Sequence, residues 1–378
     1  MGIKQKIVVG MSGGVDSSVA AYLLKQQGHD VIGMFMRNWS EVDESGVCTA
    51  EEDFKDVVSV CEKIGIPYYS VDLSQDYQEE VFSYFLKDYE RGLTPNPDIL
   101  CNREIKFKVF LEKAKKLGAD FLATGHYADI GKDFELLKAQ DLNKDQSYFL
   151  YTLTDKILSQ VLFPLGKLTK PQVRKIASEV GLTTSDKKDS TGICFIGERK
   201  FREFLSKYLA VKQGDILTLE SWEKVGTHQG VAYYTLGQRK GLGIGGVKLK
   251  HEVEILGDAG WFVASKDIQK NILYVVQGSK HPALYVDELW ATDPSFVKKL
   301  NFKFPFHCKA KTRYRQTEVS CVIESLNEGV MHIRFLNPER SVTPGQSVVF
   351  YADNICLGGG VILKTGPSYF EQKKALFA

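Results

Sequence analysis

Three runs in this 378-residue sequence place reactive or ligand-binding residue types at spacings that could do chemistry: SGGVDSS at 12–18, TPNPDILC at 94–101 and DSTGICFI at 189–196. The first sits where an apolar stretch turns into a helical pattern, so backbone N–H groups and a helix N-terminus converge on one point, which suits an anion. Gly13 and Gly14 let the backbone approach a phosphate closely, and the hydroxyls of Ser12, Ser17 and Ser18 are expected to donate to its oxygens. Asp16 cannot donate to phosphate, and its expected role is to hold Mg²⁺. The plainer alternative is a glycine-rich turn with no ligand.

The second run is stiffened by Pro95 and Pro97 and leads into a basic helix with Arg103, Lys106 and Lys108. Cys101 lies near the start of that helix, where the dipole and the cations favour a thiolate, and Asp98 three residues earlier is a candidate proton carrier. A buried structural thiol is the competing reading. Cys194 stands beside the hinge of Gly192 in a polar loop, where a mobile thiol fits. Spacing alone does not say whether residues 101 and 194 meet.

The elements that must position these residues follow from periodicity. Apolar runs at 7–11, 31–36, 68–72 and 121–124 alternate with helical patterns at 17–26, 50–64, 76–89 and 102–117. Strand-helix alternation implies an α/β domain, a parallel sheet with helices on both faces. A further helix is expected at 170–180, with Pro171 in its first turn. From Gly214 the segments become short, punctuated by glycine and rich in Val, Tyr, Ile and Thr, and turn signals between 287 and 363 predict a small β-barrel. The expected domains are 1–205, a small central domain at 206–280, a barrel at 281–366 and a tail at 367–378.

Composition bounds the function. The apolar fraction of 43% and charged fraction of 25% are those of a globular protein, and no apolar run approaches a membrane span or signal peptide, so a cytoplasmic protein without membrane contact is expected. Lys6 stands where a myristoylation motif needs Ser or Thr. Seven cysteines without a Cys-x-x-Cys pair argue against a zinc site or a disulfide scaffold. The net charge of +2 hides segregation: residues 1–164 carry 18 basic and 26 acidic side chains, whereas 165–250 carry 16 basic and 8 acidic. That pattern fits either a polyanion-binding enzyme or an ordinary solvated basic surface. Lys309, Lys311, Arg313 and Arg315 alternate at strand period beside Tyr314, as an RNA-facing strand or a lysine-guarded edge would.

There is no G-x-x-x-x-G-K-[ST], and the formal G-x-G-x-x-G at 241–246 precedes no helix, so it is rejected as a nucleotide site. The 12–18 loop instead resembles the PP-loop of ATP pyrophosphatases, which cleave ATP between the α and β phosphates. With SGGVDSS, MRNW (36–39), NPDILCN, ATGHYA (123–128), KDQSYFL (144–150), STGICFIG, LGQRKGLGIGG and TPGQ in one order, the sequence closely resembles the bacterial tRNA-specific 2-thiouridylase family over nearly its whole length. The one departure is local: the acidic residues expected right after Trp39 come later, at Glu41, Asp43 and Glu44.

The resemblance implies a PP-loop catalytic domain, a central domain and a C-terminal barrel that together hold the anticodon arm of tRNA. ATP would lie against Gly10, Met11, Ser12, Gly13, Gly14, Val15, Asp16, Ser17, Met36 and Gly125, and the 2-oxygen of the wobble uridine would be adenylated. Cys194 would carry a persulfide received from a sulfur-donor protein, Cys101 would be the second catalytic cysteine and close a disulfide with it, and Asp98 would be the acid-base residue. Asn96, Pro97 and Asp98 match contacts to the target base; Lys144, Asp145, Gln146, Arg313 and Tyr314 match tRNA-contacting positions. His126 and Gln346 match positions near the RNA, with a satisfied structural polar group as the alternative for each. Competing functions leave features idle. A PP-loop synthetase for a small molecule has no use for the two cysteines, and an RNA-binding adaptor has none for a phosphate loop. A thiouridine synthase for another tRNA position differs only in family motifs.

Overall fold

The computed structural model describes residues 3–39, 49–188, 201–209, 212–245, 259–299 and 303–376. Short aliphatic and β-branched runs form β1 (Lys6–Met11), β2 (Asp30–Arg37), β3 (Tyr68–Asp72) and β4 (Phe121–Ala123). A hairpin follows, β5 (Ala128–Ile130) and β6 (Leu136–Lys138), and then β7 (Val161–Leu162). Five of these make a parallel sheet in the order β3-β2-β1-β4-β7. Side chains of β1 alternate between two cores: Ile7, Val9 and Met11 pack with the helices Val15–Gln26, Thr49–Ile64 and Lys170–Val180, and Val8 with the helical segments at 74–90 and 97–116. Both faces are covered, so Ile7, Val8, Val9 and Met11 are all buried, and each fully buried Val or Ile contributes about 1.5–3 kcal/mol. The α/β expectation holds.

The strand order reverses between β1 and β4, so the carboxyl edge of the sheet at these two strands is the switch point where open α/β sheets bind their ligands. The helix expected from 102 begins earlier. Pro97 occupies its first turn, where a missing N–H costs nothing, and the helical chain continues to Lys116 with wide π geometry over Cys101–Phe110.

The central part contributes β8 (Gly214–Thr218), β9 (Lys224–His228), β10 (Trp261–Asp267) and β11 (Ile272–Gln277), paired in the order β10-β11-β8-β9. The remaining strands are β12 (Tyr285–Phe296), β13 (Phe306–Lys311), β14 (Val319–Asn327), β15 (Val330–Arg340), β16 (Ser347–Ala352) and β17 (Ile355–Thr365). They close into a barrel because β12, bent by register shifts, pairs with both β15 and β17. The hairpin β5–β6 joins this barrel by pairing with β17 at Leu137 and Leu136, which hydrogen-bonds the first domain to the last. The segment after β17 folds back on β12, where the Tyr369 hydroxyl donates to Asp287 at 2.6 Å. No helix among the described residues is long and apolar enough to cross a membrane.

Candidate nucleotide and base site

The 12–14 loop joins β1 to the helix Val15–Gln26, and its shape depends on Gly13. That residue has φ +73°, and a Cβ there would lie 2.6 Å from the Asp53 carbonyl oxygen. Gly125, two residues past β4, reaches the same point: a Cβ on it would lie 2.7 Å from the Ser17 nitrogen. Gly10 and Met11 end β1, and Met36 stands near the end of β2, so Gly10–Ser17, Met36 and Gly125 all lie at the carboxyl edge of the sheet. Gly10 also packs close to Phe110 of the 97–116 helix.

The serines divide their work differently from the sequence expectation. Ser12 is exposed and its hydroxyl is 3.2 Å from that of Ser17. Ser17 and Ser18 are buried, and both hydroxyls donate to the Gly14 carbonyl, at 3.2 and 2.9 Å. Thr184 donates in turn to Ser18 at 3.2 Å. Of the three hydroxyls only Ser12 faces solvent; the other two brace the loop, because a serine in a first helical turn can satisfy the preceding carbonyls.

Asp16 is held from two sides. The Lys170 ammonium lies 2.8 Å from both carboxylate oxygens, and the Tyr127 hydroxyl donates to Oδ1 at 2.8 Å. Neither Lys170 nor Tyr127 was foreseen as part of the site: Lys170 lies 154 residues from Asp16, and nothing in its local sequence marks it. This donor set does not fit a metal at Asp16, since a divalent cation there would have to displace the ammonium. Among the described residues no group of three His, Cys, Asp or Glu side chains could hold a metal ion. A second lysine, Lys187, reaches Asp53 at 2.7 Å and Asp56 at 2.5 Å behind the loop. Burial works against its charge, but the hydrogen bonds it donates to the two carboxylates and their negative charge outweigh that and raise its pKa.

The 94–101 segment is held by the barrel. The Thr94 N–H donates to the Pro344 carbonyl at 3.1 Å and the Gln346 amide to the Thr94 carbonyl at 2.8 Å. Gly345, at φ +90°, lets the chains approach: a Cβ on it would lie 2.8 Å from the Thr94 nitrogen. From the central part, Lys266 donates to the Gly92 carbonyl at 2.6 Å, and burial lowers its pKa to about 8. Asn96 and Asp98 are half-buried, Pro97 is buried, and Cys101 is fully buried. Two buried oxygens of this region, Thr94 Oγ1 and Asn102 Oδ1, make no hydrogen bond to any described residue, which leaves acceptor and donor capacity for a polar ligand. Cys194 lies outside the described residues.

The other anticipated contacts are internal in this conformation. His126 is buried between Phe107 and Phe163, with Nδ1 2.8 Å from the Thr124 hydroxyl; burial and the Lys106 ammonium hold its pKa well below 6.5. Asp145 is buried and accepts from the Ala139 and Ser147 N–H groups and the Ser147 hydroxyl. Gln146 accepts from the Tyr127 N–H at 2.9 Å, and Lys144 is half-buried beside it. The basic strand is shorter than its periodicity suggested. β13 ends at Lys311, which pairs with Asp145 and Glu318, and Arg313 turns inward to the carbonyls of Leu236 and Ser341. Tyr314 packs tilted against Phe149, with ring centroids 4.4 Å apart and planes at 49°, and carries the Arg315 guanidinium.

A parallel sheet with a glycine-serine loop at the carboxyl edge of its switch point and no Walker lysine defines a PP-loop nucleotide-binding enzyme. Residues 5–198 match the family described as tRNA methyl transferase HUP domain, 202–277 the tRNA methyl transferase PRC-barrel domain, and 286–362 the aminomethyltransferase beta-barrel domain. The tRNA-specific 2-thiouridylase MnmA of Protochlamydia amoebophila is 57% identical over 378 residues, covering 99% of this chain and 97% of the relative. That of Staphylococcus carnosus is 54% identical (94% and 95% covered), and that of Listeria welshimeri 53% (94% and 94%). The chain belongs to the tRNA-specific 2-thiouridylase family.

Proposed function

We propose that this sulfurtransferase replaces the 2-oxygen of the wobble uridine of a tRNA anticodon with sulfur, at the expense of ATP. The observation that carries the reading is the close approach of Gly125 to the Asp16–Ser17 backbone of the loop at the carboxyl edge of the sheet, with the 97–116 helix bearing Asp98 and Cys101 packed against Gly10 through Phe110. The loop's N–H groups and Ser12 would receive the triphosphate, and Met36 would line the nucleotide. Magnesium is assigned to the phosphates of the incoming nucleotide, not to a resident site on Asp16.

The uridine 2-oxygen attacks the α-phosphorus and pyrophosphate leaves. A persulfide on Cys194, loaded by a donor protein, then supplies sulfur to C2, and AMP departs with the former oxygen. Cys101 attacks Sγ of Cys194, so the outer sulfur is released to the base as the two cysteines close a disulfide, which a two-electron reductant reopens. Asp98 moves the proton, and Asn96 and Pro97 hold the base. Burial of Cys101 keeps this chemistry out of bulk water. Lys144, Asp145, Gln146, His126, Arg313, Tyr314 and Gln346 are assigned to the tRNA side of the site, several of them by holding the contacting segments. The deciding experiment incubates the protein with ATP, Mg²⁺, a sulfide source and unmodified tRNA, followed by digestion and mass analysis. Thiouridine at the wobble position with AMP released is expected; folded protein that yields neither refutes the proposal.

A further inference from the structure

We infer that Lys170 is the counter-charge of the phosphate loop: its ammonium cancels Asp16, and this lets the loop accept the triphosphate of ATP. The inference rests on the ATP-binding reading above. The loop contains no lysine of its own, and its one charged residue, Asp16, has the sign that repels phosphate. Unpaired, a carboxylate in the first helical turn would offset the roughly half positive charge that the helix N-terminus offers an anion. With Lys170 at 2.8 Å from both oxygens, the pair is neutral and the N–H groups of the loop act on the ligand undiminished.

The lysine is built in, not folded over from the surface. Its side chain is 9% exposed against 32% for Asp16, so the ammonium lies beneath the carboxylate. Its backbone is fixed twice: Thr169 and Gln172 form a capping box at the start of the helix, and the Lys170 N–H donates to Asp141 at 2.9 Å. The ammonium also lies 5.9 Å from the centre of the Tyr127 ring. Burying an ion pair adds little net stability, so stability does not account for placing one at a phosphate loop. A second lysine stands next door: Lys187 bridges Asp53, whose backbone lies against Gly13, and Asp56. Both lysines come from the basic stretch after residue 164, and all three carboxylates from the acidic one before it.

The test compares wild type with Lys170→Met, Lys170→Arg, the double variant Lys170→Met with Asp16→Asn, and Lys175→Met as a control from the exposed face of the same helix. Binding of α,β-methylene ATP is measured by calorimetry and that of adenosine by ligand-observed NMR, alongside melting midpoints. Lys170→Met should weaken the triphosphate analogue about tenfold or more and leave adenosine unchanged. Lys170→Arg should recover most of the loss, and the double variant at least half of it on a logarithmic scale, because removing the carboxylate removes the need for the lysine. The inference is overturned if Lys170→Met binds the analogue like wild type, if the double variant is no better than the single, or if adenosine weakens equally. If wild type binds neither compound, the ATP reading falls as well.

Discussion

At the phosphate loop, the shape-giving residues are contiguous or one strand away: Gly13 and Gly14 between β1 and its helix, Ser17 and Ser18 bracing the Gly14 carbonyl, and Gly125 just past β4. At the 94–101 segment, the holding contacts come from the other domains: Pro344, Gly345 and Gln346 from the barrel and Lys266 from the central part. The first half of the site is made by one sheet, and the second exists only when three bodies are assembled. Nucleotide binding is therefore expected to survive damage to the barrel, whereas chemistry at the base is not.

The largest effect separates the halves outright. Cys194→Ser should abolish thiolation while tRNA binding and tRNA-dependent pyrophosphate release persist, read by thiouridine mass and by a pyrophosphate assay. An unchanged thiolation rate removes Cys194 from the mechanism. Gly13→Ala comes next. An alanine at φ +73° costs roughly 1–2 kcal/mol and its methyl meets the Asp53 backbone, so ATP affinity should fall about tenfold or more with tRNA affinity intact. Gly345→Ala is its mirror. The strain at φ +90° and the overlap with Thr94 should lower thiolation about tenfold at unchanged ATP affinity. If Gly345→Ala lowers ATP affinity as much as Gly13→Ala does, the two halves are not independent and the comparison fails.

The same contrast explains what could be read from the sequence. The parallel sheet, the loop, the helix at 170–180 and the barrel follow from local periodicity and from turn residues, which act within a few positions. The Gln346 bond to Thr94 spans 252 residues and the Lys170 bond to Asp16 spans 154. In each case an ordinary polar residue type gives no hint of its partner. The β5–β6 hairpin leaves no periodic signal because its strands are three residues each, too short for alternation to register, and its partner β17 lies far along the chain. The basic alternation at 309–315 predicts one strand because periodicity does not mark where a strand stops; β13 ends at Lys311, and Arg315 adopts φ +64° in the turn beyond. Charge segregation carried more than one meaning. Part of the basic segment answers the acidic one inside the same domain, as Lys170 and Lys187 do, and so is not free for polyanions.

The smallest predicted effect tests the interior that connects the halves. His126 follows Gly125, packs on Phe107 of the 97–116 helix, and stays neutral in the folded protein because burial, then the Lys106 ammonium, depress its pKa well below 6.5. In the unfolded chain the imidazole titrates near its ordinary value, about 6.5. As the pH falls below that value the unfolded state binds the proton and the folded state does not, so stability declines by up to about 1.4 kcal/mol per pH unit until the folded pKa is reached. Above pH 7 both states are neutral and His126 contributes no pH dependence. His126→Gln keeps a hydrogen-bonding partner for the Thr124 hydroxyl but cannot titrate, so its melting midpoint should fall less than that of wild type between pH 7 and pH 5.5. If the two proteins lose the same number of degrees over that interval, His126 is not the group that takes up the proton. The buried imidazole behind Gly125 would then open to water without unfolding, and the nucleotide half would be less rigid than the base half.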